Sequence, residues 1–346
     1  MHMADALLSP AVGSAFWAGS IAAVGYASKK LKETIDDRMV PLMGVLGAFI
    51  FASQMINFTI PGTGSSGHLG GGMILAILLG PYAAFLVMAS VLTVQALFFA
   101  DGGLLALGCT IWNLGIYPCF IAFSFIYKPL AGDGLNPRRV LAAALVSGIV
   151  GLQLGAFSVV LQTVLSGKSE LPFGTFLMVM QPIHLGIGIV EGFVTAGVIG
   201  YVRAVRPEML ESAVNARPLA AGVPVKKVLI VFSVLAIITG GALSWLASTR
   251  PDGLEWSIGK VTGRPELSEP EQGIAPALKS IQDRTAFLPD YHFKKEKKEQ
   301  EQREGPVSQP GIESGTSVAG IVGSVIVLGV IVLISMGIRS LRRRRT

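Results

Sequence analysis

The chain has 346 residues, 51% of them apolar and only 14% charged, with 42 glycines and a mean hydropathy of +0.60. A soluble domain carries nearer a quarter charged residues, so this balance excludes an ordinary globular protein and points to a bilayer. The net charge of +6 does not argue for nucleic acid, because no basic patch is interleaved with aromatics and the cations sit in short loops beside apolar runs.

Apolar runs fall near 11–28, 39–57, 69–79, 81–100, 103–127, 137–166, 174–203, 225–248 and 317–338. About 18 uncharged residues suffice to cross about 30 Å of hydrocarbon as a helix. The third and fourth runs are contiguous across Gly80-Pro81, which reads either as a tight turn between short helices or as a kink in one re-entrant segment. The predicted fold class is an all-α integral membrane protein: a bundle of about seven spans plus two C-terminal spans.

Loop charge orients the bundle. Lys29, Lys30, Lys32 and Arg38 follow the first run; Lys128, Arg138 and Arg139 follow the fifth. Arg203, Arg206, Arg217, Lys226 and Lys227 lie between the seventh and eighth, and Arg339 with Arg342–Arg345 ends the chain. These groups belong on the cytoplasmic side, while the short loops opposite carry Lys168 alone. Nine spans then put the C-terminus in the cytoplasm and the N-terminus outside. The expected domains are 1–206, a cytoplasmic linker 207–224 rich in proline, and 225–346 with a large outer loop over 249–316. The stretch from Lys294 to Glu304 is nearly all Lys, Glu, Gln and Arg, too polar to bury a core. No internal repeat is visible, which disfavours an inverted-repeat secondary transporter.

Cys109 and Cys119 lie within one apolar run and read as packing residues rather than a disulfide or metal pair. The start, Met1-His2-Met3-Ala4-Asp5, lacks a basic segment of the kind that opens a cleaved signal, and the bulky His2 disfavours methionine removal. Met1 is therefore expected to keep a free amine.

That amine carries the chemistry. The Met1 amine and the His2 amide nitrogen close a five-membered ring on a metal, and the amide nitrogen with the His2 Nδ1 closes a six-membered one. Three nitrogens then lie in a plane once the amide proton is displaced. A fourth completes the square-planar set that suits Ni(II) and Cu(II). Only four histidines occur: His2, His68, His184 and His292. His68 is the candidate fourth ligand, being on the same side of the membrane as His2. It sits in the glycine-rich segment 61–72, which can fold inward over an inserted N-terminus. Taken alone, His2 reads as an incidental residue of a frayed end and His68 as a loop histidine; the pair is what points to a site.

Met1-His2-Met3-Ala4-Asp5-Ala6-Leu7-Leu8-Ser9-Pro10, Ser65-Ser66-Gly67-His68-Leu69-Gly70-Gly71 and the segment from Pro182 to Gly192 resemble the CbiM/NikM family over about 1–205. That family comprises the substrate-capture subunits of nickel and cobalt energy-coupling-factor (ECF) importers. Pro251-Asp252-Gly253-Leu254-Glu255, between the last two runs, is similar to the small NikN/CbiN component, so the whole resembles a fused NikMN protein. The resemblance implies a metal held by the Met1 amine, the His2 amide and imidazole, and His68. Nickel and cobalt both remain open, because Met3-Ala4-Asp5-Ala6 replaces the Ile-Pro-Asp-Gly often found in nickel-type members. It also implies a separate membrane scaffold (NikQ/CbiQ-like) and cytoplasmic ATPases (NikO/CbiO-like) in the plasma or inner membrane of a prokaryote, with the ion as substrate and no cofactor.

His184 and Glu191 share a helix face, and an intramembrane glutamate is functional by default. Both are expected to brace the bundle through interhelical hydrogen bonds. Gln54, Asn57, Asn113 and Gln181 read as similar glue or as partners orienting the imidazoles. Asp5 reads as a cap of the first helix or an offset to the site's charge, and His292 as an exposed loop residue. Small-residue stripes at Ala15, Gly19, Ala23 and Ala27, and at Gly44, Ala48 and Ala52, are faces that either dock a scaffold or pack internally. The Gly167-Lys168-Ser169 triplet lacks the upstream glycine of a phosphate loop, and neither a metalloprotease motif nor a linked nucleophile and base occurs. The chain is thus expected to be neither ATPase nor other enzyme. The competing reading is an ATP-independent divalent-cation secondary transporter or channel. Affinity should fall with pH as protons compete, and reference values near 6.5 and 7.8 for imidazole and amine put this at about pH 6 to 8.

Overall fold

The computed structural model describes residues 1–132, 136–168, 170–214, 225–268, 273–293 and 314–343. The charge run 294–304, the linker's second half and the last three residues lie outside them. The described residues are mostly helical. In order come α1 (Pro10–Thr34), α2 (Met39–Gln54), α3 (Gly72–Leu79), α4 (Pro81–Phe99), α5 (Leu107–Ala131), α6 (Pro137–Leu165) and α7 (Phe173–Val205). There follow α8 (Pro207–Val214), α9 (Lys226–Gly241), the short α10 (Gly253–Thr262) and α11 (Ala275–Thr285), and α12 (Ser314–Arg343). A two-residue ladder pairs β1 (Phe58–Thr59) antiparallel with β2 (Ser66–Gly67) in the loop before α3.

Local chemistry sets the ends. Ser9 caps α1, its Oγ accepting from the Val12 amide at 3.4 Å, with Pro10 at the first helical position; Asn136 and Pro137 open α6 in the same way. Gly80 and Pro81 make a turn between two separate helices rather than a kink in one. In α5 the hydrogen-bond ladder widens to the π type over Trp112–Tyr127, around Pro118, which has no N–H to donate.

Among the described residues five helices are long and apolar enough to cross a membrane: α4, α5, α6, α7 and α12. The other helices of the expected bundle, among them α1, α2, α3 and α9, are shorter or less apolar than these. Eight residues of helix reach about 12 Å, so α3 is far too short to cross alone, and α2 has 16 residues. Both are buried almost throughout, which makes them core rather than lipid-facing helices. Large apolar side chains are instead exposed on α6, α7, α9 and α12, among them Phe157, Met178, Phe193, Ile237 and Leu333, a distribution that suits contact with lipid. The small-residue stripe on α2 packs internally: α12 lies against it, with Ser324 Oγ donating to the Ala48 carbonyl at 3.2 Å. The first half of the segment read as a linker is helical, α8, with Met209 buried.

One end of the bundle gathers the α1–α2 and α3–α4 turns with α8, around Leu31, Met39, Gly80 and Ala213; Arg339 near the end of α12 pairs with Asp37 there. The other end gathers the N-terminus, the His68 loop, the α4–α5 connection and the 248–293 segment.

Candidate metal centre

The first eight residues do not fray; they thread into the bundle. Met1 is 5% exposed and Met3 fully buried. The Met3 amide donates to Thr110 Oγ1 at 3.3 Å and its carbonyl accepts from the Gly103 amide at 2.8 Å. Asp5, in a short 3-10 turn, accepts from the Ala106 amide at 2.9 Å. Any Cβ at Gly103 would lie 1.9 Å from Asp5 Oδ1, so only glycine admits the thread here. Asp5 thus fastens the terminus to the α4–α5 connection. It does not cap α1, since Ser9 does.

This thread brings the predicted pair together. The His2 and His68 ring centroids lie 5.0 Å apart, at an interplanar angle of 37°. Met1 and His68, with Gly67, Gly70, Leu114, Leu152, His184, Ile187, Asp252 and Gly253, enclose a cavity of about 10 Å³, close to the room one water needs. The tautomers follow from the hydrogen bonds. His68 Nδ1 lies 3.0 Å from the Leu69 carbonyl, an acceptor only, so Nδ1 carries the proton and Nε2 keeps its lone pair. For His2 the logic runs through two amides. Gln54 Nε2 donates to the Gly70 carbonyl at 2.8 Å, and Gln95 Nε2 donates to Gln54 Oε1 at 3.0 Å. Gln95 Oε1 therefore faces His2 Nε2, 3.1 Å away, as acceptor. That puts the His2 proton on Nε2 and leaves Nδ1, the chelating atom, unprotonated. Asp101 Oδ1 lies 3.5 Å from Nδ1, so two electron-rich atoms face each other across a gap that a cation relieves.

Burial, and next the N-terminal ammonium close by, pull His2 from 6.5 to about 3 and His68 to about 4. Both rings are neutral at neutral pH, the state a metal ligand requires. This moves the imidazole share of any proton competition well below the pH 6 to 8 range expected from reference values. Burial alone would raise the Asp252 carboxyl, but the ammonium of Met1 and the Glu255 amide offset this and hold it below its ordinary value.

Among the described residues no three His, Cys, Asp or Glu side chains converge as a metal cluster. The candidate set is different in kind, two imidazoles with two main-chain nitrogens. The other predicted residues stand around it. Glu191 accepts from the Gly70 amide at 2.7 Å, two residues from His68, and so braces the loop. His184 lines the cavity, but its Nδ1 bonds the Met180 carbonyl within its own helix at 2.8 Å, not another helix as expected. Asn113 and Gln162 exchange amide hydrogen bonds at 2.9 and 3.0 Å, and Gln181 and Gln153 join α6 to α7. Asn57 contributes its carbonyl, which accepts from the Ser248 amide at 2.7 Å. His292 is half-buried rather than exposed. Gln95, Asp101 and Asp252 were given no role by the sequence. A polar residue near the end of an apolar run, as Gln95 is, was the available signal.

Residues 2–209 match the family described as cobalt uptake substrate-specific transmembrane region, CbiM. The chain belongs to the CbiM family. Residues 226–340 match the PDGLE domain, so a CbiM region is joined here to a second unit, as in fused NikMN proteins. A putative fused nickel transport protein NikMN of Archaeoglobus fulgidus is 34% identical over 95% of this chain and 96% of its own length. The fused nickel transport protein NikMN of Rhodobacter capsulatus is 28% identical, over 80% of this chain and 82% of that protein. A crystal structure of a truncated transition metal transporter, 29% identical, superposes with a TM-score of 0.53 over 59% of this chain and 99% of that one. As a member of this cobalt-uptake family the chain is a membrane transport component.

Proposed function

We propose that this CbiM-family chain is the substrate-specific component of an ECF-type importer, capturing Ni(II) or Co(II) in a planar set of four nitrogens. The ligands are the Met1 amine, the His2 amide and Nδ1, and His68 Nε2. One observation carries the reading: the N-terminus is drawn into the bundle until the His2 and His68 ring centroids stand 5.0 Å apart, with Met1 and His68 lining a small cavity beside them. The hydrogen-bond partners support it, since each leaves free the ring nitrogen that the chelate needs. A metal entering there releases the protons of the amine and amide, and two neutral imidazoles are already in the binding form.

The site belongs outside the cell, in the plasma or inner membrane of a prokaryote. The α1–α2 turn and Arg339 near the end of α12 lie at the opposite end, and nine crossings with the short α3 completed by the inward-folded 57–71 loop would accord with that placement. Residues 1–206 form the capture domain and 225–346 the NikN/CbiN-like domain, joined by the cytoplasmic 207–224 segment. A NikQ/CbiQ-like scaffold and NikO/CbiO-like ATPases would supply the energy, and the stripe on α1 that includes Ala15 remains in part exposed for docking.

Titration of the purified chain with Ni(II) and Co(II), native against a version extended by one residue before Met1, tests the capture site. The extension keeps every side chain yet destroys the five-then-six ring arrangement. Tight binding should be lost, and undiminished binding by the extended chain rules the site out. Uptake by vesicles holding this chain alone would favour instead a secondary transporter or channel.

A further inference from the structure

The C-terminal domain reaches into the chamber at one side chain. Asp252 begins α10 and its two carboxylate oxygens have separate tasks. Oδ1 accepts from the Leu254 and Glu255 amides, both at 2.8 Å, while Glu255 Oε2 accepts from the Asp252 amide at 3.0 Å, a reciprocal cap. Oδ2 points the other way and stands 3.8 Å from the Met1 amine. The cap fixes the side chain, so the second oxygen is presented rather than free to wander.

The turn that carries it is stitched to the loop that carries His68. Ser66 donates its amide to the Pro251 carbonyl at 2.9 Å and its hydroxyl to the Arg250 carbonyl at 2.7 Å. Beneath, Gly253 sits on α7: a Cβ there would come 2.8 Å from Ile183 and 3.3 Å from His184 Cε1. The Pro251–Glu255 turn is thus a roof pressed onto the chamber by main-chain bonds above and a close approach below.

We propose that Asp252 is a positioning residue for the metal-binding amine, holding the N-terminal ammonium beside the two imidazoles until an ion takes its place. The inference rests on the four-nitrogen reading of the site. A divalent ion bound through a deprotonated amide leaves one positive charge in the chamber, and Asp252 faces it from the amine side as Asp101 does from His2 Nδ1. The C-terminal domain thereby acts on capture directly, as a built-in counter-ion.

A carbodiimide joins an amine to a carboxylate with which it is in contact, and Asp252 also borders an outer cavity of about 520 Å³ through which the reagent can enter. In the metal-free full chain, mass spectrometry after such treatment should find Met1 linked to Asp252, and saturation with Ni(II) should suppress the link. Asp252→Asn keeps the cap, because asparagine caps as well as aspartate, and should bind Ni(II) about 10–100-fold more weakly. Asp252→Glu should recover part of that loss by restoring the charge. Absence of the link in metal-free native protein, or unaltered affinity in Asp252→Asn, overturns the proposal. These outcomes are separable from failure of the site itself: if the one-residue extension binds Ni(II) as tightly as the native chain, the four-nitrogen site is wrong; if the extension abolishes binding while Asp252→Asn leaves it intact, only the role of Asp252 is lost.

Discussion

The chamber has two walls of unlike chemistry. The inner wall, from α2, α4, α5, α6 and α7, is built of buried side-chain amides and one carboxylate whose partners are fixed: Gln54 with Gly70 and Gln95, Asn113 with Gln162, Glu191 with Gly70. The outer wall, from Asp101 and the described residues of 248–293, is held by side-chain bonds to loop carbonyls and by charged or hydroxyl groups. Gln282 donates to the Ala96 and Gly102 carbonyls at 2.8 and 2.7 Å, and Tyr291 donates to Asp101 at 2.5 Å. In low dielectric, neutral amide networks hold orientation without isolating a charge. At the wet rim, carboxylates can face a cation at modest desolvation cost. The inner wall therefore sets which nitrogen of His2 is free, as the Leu69 carbonyl does for His68, and the outer wall sets the charge an arriving ion meets.

If that division holds, substitutions should grade by wall. His68→Ala removes a ligand outright and should weaken Ni(II) binding by more than about 100-fold, beyond what the loss of an orienting partner costs, as read by titration of the purified chain. Gln95→Leu touches no ligand atom, yet it frees His2 Nε2 from its acceptor and lets the proton move to the chelating nitrogen. A loss of about 10–100-fold is expected, with the fold intact by thermal unfolding. Equal affinity in Gln95→Leu would show that the amide pair orients nothing. Glu191→Gln is milder. The glutamine carbonyl can still accept from Gly70, so the loss is the charge assistance, about 1 kcal/mol, and less than tenfold in affinity. Complete loss of binding in a folded Glu191→Gln protein would promote this residue from brace to ligand.

How much of this was legible beforehand follows the same division. The ligand trio was readable because its geometry is covalent: an amine, an amide and an imidazole in consecutive positions chelate wherever they are placed. The long apolar helices α4 to α7 and α12 were readable from uninterrupted hydropathy. The short α3 was not, because a run of buried apolar residues looks the same whether it crosses lipid or fills a core, and Gly72–Leu79 does the latter. The cap role expected of Asp5 failed because a carboxylate in a first turn has local and distant partners, and the distant Ala106 amide won. His184 was placed on the right face, but a helix histidine can always turn back to its own carbonyl four residues earlier. The outer wall was least legible. Asp101 and Asp252 lie 151 positions apart in the numbering of the chain, and nothing local in either segment announces that both will border one amine and one imidazole.

The smallest expected effect probes that outer wall alone. Ser66 ties the His68 loop to the Arg250–Pro251 turn through one hydroxyl, 2.7 Å from the Arg250 carbonyl and 3.1 Å from that of Pro251. A hydroxyl donates one hydrogen, so Ser66→Ala removes a single net bond worth about 1 kcal/mol. The Ser66 amide still donates to Pro251, which keeps the turn seated. Ni(II) should then dissociate about fivefold faster or less, with the four-nitrogen spectrum unchanged, because the roof loosens while every ligand and tautomer stays as it was. A changed spectrum would mean that the roof shapes the ligand set itself, and the contrast between an orienting inner wall and a charge-bearing outer one would have to be abandoned.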